Sequence, residues 1–110
     1  MTKVKILKKN DLIVSVEARG HANFEESGKD IVCAAVSSLC QGTLLGLTNV
    51  LKLKPNVVIN QKKAIFSFDL SNLSQEEIKD AQVLVKTLKL SLDDVSIGNE
   101  KFLKVEVYDV

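Results

Sequence analysis

The sequence predicts a single α/β domain of the α+β type, a mixed β-sheet carrying two helices in the order ββαββαβ, over residues 1–110. Three observations carry that prediction. Period-two alternation of apolar and polar residues recurs at both ends of the chain, the signature of half-buried strands. A charge-free run from Ile31 to Leu51 has the length of a long core helix, at about 1.5 Å per residue. Ser74-Gln75-Glu76-Glu77 is a capping box, which opens a helix by reciprocal side-chain to amide bonding.

The first strand is predicted over Val4 to Lys8 and the second over Leu12 to Ala18, joined through the polar Lys9-Asn10-Asp11. Leu12, Val14, Val16 and Ala18 form the expected inward row of the second, against Ile13, Ser15, Glu17 and Arg19. A polar segment from Gly20 to Lys29 follows. It is too long for a tight turn, and loops of that kind are often functional or mobile. Asp30 stands where an N-cap belongs, Lys52 and Lys54 lie where the helix dipole favours cations, and Pro55 ends the helix.

A second hairpin is expected from Val57 to Ile59 and Ala64 to Leu70, with Ala64, Phe66, Phe68 and Leu70 inward. In the second helix Ile78, Ala81, Val85 and Leu88 repeat at helical spacing, opposed by Lys79, Lys86 and Lys89. Leu73 and Ile78 are placed as its hydrophobic staple. Leu103, Val105 and Val107 alternate with Lys104 and Glu106 in a final strand within Phe102 to Tyr108. No internal linker or low-complexity segment divides the chain.

Composition narrows the function classes. The 110 residues are 45% hydrophobic and 26% charged, with a formal net charge of +1. A chain so balanced lacks the basic surplus that nucleic-acid binding calls for, so no direct nucleic-acid contact is expected. The N-terminal lysines interrupt the apolar residues, unlike a secretory leader. The charge-free run is about long enough to span a bilayer. However, Ser37, Ser38, Gln41, Thr43, Thr48 and Asn49 make it costly in lipid, and a buried central helix is the reading adopted. Two cysteines without an export signal suggest a reducing compartment rather than a disulfide scaffold. Cys33 and Cys40 on one helix would be roughly 10 Å apart, beyond disulfide reach. One histidine and two separated cysteines make no zinc ligand set, and no glycine-rich phosphate loop is present. No cofactor and no metal are therefore expected.

The chemistry concentrates in residues 20–37. Cys33 is expected in the first turn of the long helix, where unpaired amides and the helix dipole favour a thiolate. His21, the single histidine, lies twelve positions upstream in the polar loop, near enough for the loop to fold back. A nucleophile at a helix start and a base on an adjoining loop satisfy the requirements of a Cys/His dyad. The residues also allow plainer roles: a small core residue for Cys33 and a solvated side chain for His21. Cys40, among Leu39, Leu44 and Leu47, reads as structural. Asp30 either caps the helix or orients His21. Ser37, one turn after Cys33, either faces the same site or bonds back to a helical carbonyl.

Gly20-His21-Ala22, followed by Gly28-Lys29-Asp30-Ile31-Val32-Cys33-Ala34-Ala35-Val36-Ser37, resembles the signature of the ribosomal-processing cysteine proteases, the Prp family. The resemblance implies Cys33 as nucleophile, His21 as base, and Asp30 and Ser37 in support. It further implies a bacterial cytoplasmic endopeptidase that trims the N-terminal extension of large-subunit ribosomal protein twenty-seven during ribosome assembly. A homodimer with a mobile loop over the site, here roughly Ala22 to Lys29, belongs to the same expectation. Two rival functions are a non-catalytic assembly factor that holds a ribosomal protein tail and a thiol redox sensor. The second lacks a placed resolving cysteine.

Overall fold

The fold was described from a computed structural model covering residues 1–20 and 29–110. Five strands and two helices follow one another as β1 (Thr2–Lys9), β2 (Leu12–Arg19), α1 (Lys29–Leu45), β3 (Asn56–Asn60), β4 (Ile65–Asp69), α2 (Gln75–Ser96) and β5 (Leu103–Asp109). The sheet runs β3-β4-β2-β1-β5, with β1 and β5 parallel and the other neighbours antiparallel. The predicted α+β class and the order ββαββαβ both hold.

Strand alternation decides which sheet face is covered. In β1, Thr2, Val4 and Ile6 are buried while Lys3 and Lys5 are exposed. Partners on β2 continue the inward row, Val4 opposite Ala18 and Ile6 opposite Val16. Farther along, the expected row of β2 changes parity. Leu7 pairs with Ser15 and Lys8 with Ile13, so Val14 is an extra residue and Ile13 turns inward. This β-bulge explains why Ile13, not Leu12 or Val14, joins Val16 and Ala18 in the core.

The bulge is braced from α2. Gln82 accepts from the Ile13 amide at 2.8 Å and donates to the Ile13 carbonyl at 3.0 Å, using the same amide group. That glutamine occupies a core position between Ala81 and Val85. The capping box forms as expected: the Glu77 amide donates to Ser74 Oγ, and the Ser74 amide donates to the Glu77 carboxylate. Ile78, Ala81, Val85 and Leu88 are buried, extended by Leu92.

The β1–β2 turn is tight because Asn10 and Asp11 both adopt positive φ, at 52° and 64°, as a two-residue hairpin requires. In the β3–β4 hairpin the Asn60 side chain accepts from the Lys63 amide at 3.0 Å. Phe68 and Leu70 are buried and Phe66 is half-buried, whereas Ala64 belongs to the turn.

Helix α1 continues into a wider turn over Gly46–Val50, whose Leu51 amide donates to the Gly46 carbonyl at 3.0 Å. The helical run therefore reaches nearly to Leu51, as predicted. A Cβ at Gly46 would stand 2.9 Å from a methyl carbon of Leu84, so glycine sets how closely α1 approaches α2. The helix is not buried all round, contrary to the sequence reading. Val32, Val36, Cys40 and Leu47 face the core, while Ile31, Ala34, Ser38, Leu45 and Val50 are exposed. By length and composition Ile31–Val50 would suffice to cross a membrane, yet its buried row is integrated into the hydrophobic core.

Candidate active site

Helix α1 already has its fold at Lys29, so Asp30 stands inside the first turn rather than at the expected N-cap. Cys33 consequently sits one turn into the helix, not in the turn with unpartnered amides. Its direction follows from the 3.6-residue period: Val32 and Val36 point into the core, and Cys33 and Ser37 share the adjoining flank.

Cys33 is half-buried and lies beside β1. Its Sγ is 3.2 Å from Oγ1 of Thr2. Thr2 is the first member of β1's inward row and is only 5% exposed. Both line a cavity of about 710 Å³ between α1, the adjoining ends of β1 and β2, and the β3–β4 hairpin. Gly20, Ser37, Asn60 and Phe66 also contribute to its wall, giving apolar surface with a few polar groups, as peptide and ligand clefts have.

Ser37 is exposed and lines the same cavity as Cys33. Its hydroxyl accepts from the Gln41 side-chain amide at 2.9 Å. Its hydrogen-bond partner among the described residues is thus a side chain one turn along the helix. His21 lies outside the described residues, as do positions 22–28, where the mobile loop was expected. Asp30 is placed on α1 by its backbone alone.

Thr2 and Gln41 are the site neighbours that the sequence reading missed. Thr2 had a signal: it has the same parity as Val4 and Ile6, so a hydroxyl was bound to fall on the covered face. Gln41 is one turn beyond Ser37, and only the helix direction tells that this flank borders a cavity.

Gly20 shows why the segment preceding His21 starts with glycine. Its φ is +153°, and a Cβ there would approach Thr2 Cα to 2.7 Å and the Met1 carbonyl oxygen to 2.8 Å. The Gly20 amide donates to the Ala64 carbonyl at 3.2 Å, which pins this point to the β3–β4 turn. Gly20→Ala is expected to cost about 1–3 kcal/mol through backbone strain, read as a lowered thermal midpoint. Because the displaced atoms include Thr2, activity should fall as well.

The two cysteines differ in environment. Cys40 is 1% exposed, and burial pushes its thiol up to about 11. Both are free. Iodoacetamide should therefore modify Cys33 at neutral pH while Cys40 stays unlabelled, because the thiolate is the reacting form. Peptide mapping would read the pattern. Cys40→Ala should lose about 1–2 kcal/mol of stability, as a small core truncation does, and keep the chemistry. Among the described residues, no three of His, Cys, Asp and Glu come together as a metal site.

Comparison with known proteins places this geometry in a family. The family model for the cysteine protease Prp matches residues 1–104. The ribosomal processing cysteine protease Prp of Bacillus subtilis (strain 168) is 31% identical over 94 residues, covering 84% of each chain. In fold, SMU.848 from Streptococcus mutans superposes with a TM-score of 0.90 at 23% identity, over 100% of this chain and 96% of that one. The essential ribosomal processing protease Prp from S. aureus, solved with a substrate peptide, gives 0.87 at 20% identity, over 98% and 100%. The match across nearly all of the sequence and the B. subtilis relative together show that the chain belongs to the Prp family of cysteine proteases.

Proposed function

We propose that Cys33 and His21 form the catalytic dyad of an endopeptidase that removes the N-terminal extension of large-subunit ribosomal protein twenty-seven. The observation that carries this reading is the half-buried Cys33 thiol on the wall of a cavity large enough for several peptide side chains. The other cysteine is sealed in the core. Family membership makes the chemistry peptide hydrolysis. The substrate class follows the B. subtilis relative, named for ribosomal processing, and the S. aureus relative, which was captured with a substrate peptide.

In the proposed reaction His21 takes the Cys33 proton and the thiolate attacks the scissile carbonyl. The tetrahedral intermediate collapses to a thioester as His21 returns the proton to the leaving amine. Water, deprotonated by the same imidazole, then releases the acyl group and restores the thiol. Backbone amides near the start of α1 are assigned to the developing oxyanion, since the first amides of a helix have no carbonyl one turn back to bond. Asp30 and Ser37 are assigned supporting roles, Asp30 toward His21 and Ser37 toward the cavity it lines.

The same proposal places the protein in the bacterial cytoplasm as a homodimer. The uncharged outer face of α1, with Ile31 at 75% and Val50 at 76% exposure, supports association between copies. Incubation with the long form of the ribosomal protein, followed by intact-mass analysis, tests the activity. A discrete N-terminal loss is expected, and an unchanged mass would reject the substrate. Light scattering after size exclusion should give twice the 12.1 kDa chain mass.

A further inference from the structure

We propose that the Thr2 hydroxyl is a catalytic group, a hydrogen-bond donor from the sheet that stabilises the Cys33 thiolate and fixes its direction into the cavity. The inference rests on Cys33 being the nucleophile.

Thr2 is buried on the covered face of β1, in line with Val4 and Ile6, where an apolar residue would pack without a polar atom to satisfy. Among the described residues, Cys33 Sγ is the one hydrogen-bond partner of its hydroxyl, at 3.2 Å. While the sulfur keeps its proton, either atom can be the donor, and the bond is a weak thiol contact. Once the proton has left, the hydroxyl alone can donate, and the bond becomes charge-assisted. The difference favours the thiolate.

The backbone of Thr2 is also tied on several sides. The Thr2 amide donates to the Phe102 carbonyl at 2.8 Å, Thr2 pairs with Leu103 across the parallel ladder, and Gly20 packs against its Cα. Three backbone neighbours thus fix the strand residue that carries the hydroxyl. Helix α1 presents the sulfur from the opposite side, so strand and helix share control of the nucleophile.

The test is the pH profile of Cys33 alkylation by iodoacetamide in the full chain, in a Cys40→Ala background. The reaction forms a sulfur–carbon bond and expels iodide, and it needs no substrate. Thr2→Val keeps the shape and removes the hydroxyl; Thr2→Ser keeps the hydroxyl. Thr2→Val should slow labelling at pH 7 roughly tenfold and move the half-maximal pH upward, with a small change in thermal midpoint. Thr2→Ser should restore the wild-type profile. Should Thr2→Val not fold, Thr2→Ala gives the same comparison with a smaller side chain. Coincident profiles for wild type and the hydroxyl-free variant would overturn the proposal, since a packing role alone changes stability and not the pH response. Processing by Cys33→Ala would instead sink the nucleophile assignment while leaving the alkylation profiles readable.

Discussion

Cys33→Ala is expected to lower peptide-tail processing by roughly 10⁴–10⁶-fold, the range reached when a catalytic nucleophile is removed. Cys33 is half-buried at the cavity wall, so the truncation removes one sulfur and its contact to Thr2 without emptying the core. Its thermal midpoint should stay within the change produced by about 1 kcal/mol. Circular dichroism and a melt would establish the fold, and intact-mass analysis of the long-form ribosomal protein would read the activity. His21→Ala should show a comparable defect. The two variants separate in alkylation: His21→Ala still presents a thiol at residue 33 and Cys33→Ala does not. A Cys33→Ala protein that cut at an undiminished rate would refute the assignment.

The second large effect concerns stability. Gln82→Leu should destabilise the protein by about 2–5 kcal/mol, because two backbone groups of Ile13 lose their shared partner. Leucine fills a comparable volume and is apolar, so a hydrophobic account of the core predicts a gain. The buried amide reverses that sign: Gln82 is 8% exposed, and the bulge in β2 leaves Ile13 N–H and C=O facing α2 rather than a neighbouring strand. At roughly 4–8 °C per kcal/mol for a domain of this size, the thermal midpoint should fall by ten degrees or more. Gln82→Glu at low pH would recover part of the loss, since a protonated carboxyl both accepts and donates as the amide does. An unchanged midpoint for Gln82→Leu would mean that the bulge relaxes to another register.

These two residues mark how far the sequence could be read. The α+β class, the order of elements and the capping box at Ser74 were legible because each depends on local periodicity or a fixed spacing. The inward row of β2 was not, because the extra residue at Val14 is set by pairing with β1 and by Gln82 from 69 positions away. Alternation alone has no means of announcing a bulge. Cys33 stood out by its place near a helix start and by the surrounding signature, whereas the cavity it lines depends on packing that no local pattern announces. Thr2 escaped notice since it is remote in sequence, 31 positions from the sulfur it contacts. The exposure of one side of α1 was equally hidden. A charge-free helix normally reads as surrounded by protein, and only the packing shows that the core takes a single face of it.

The parallel pairing of β1 with β5 has a consequence for the order in which the protein matures. Thr2 meets Leu103 across a loop of roughly a hundred residues, one of the most distant contacts in the sheet. At about 5–20 residues per second of synthesis, Cys33 leaves the ribosome several seconds before the strand that anchors Thr2 exists. During that interval the hairpin of β1 and β2 can form, since its turn is local, but the outer side of β1 has no partner. The thiol is thus made early and its setting late. A nascent chain stalled before Leu103 should expose a cysteine without the sheet-borne hydroxyl fixed beside it, and competence arrives when the final strand docks. For a protease whose proposed substrate belongs to the ribosome, the pairing of first and last strands makes the proposed Thr2–Cys33 couple one of the final parts of the fold to be completed.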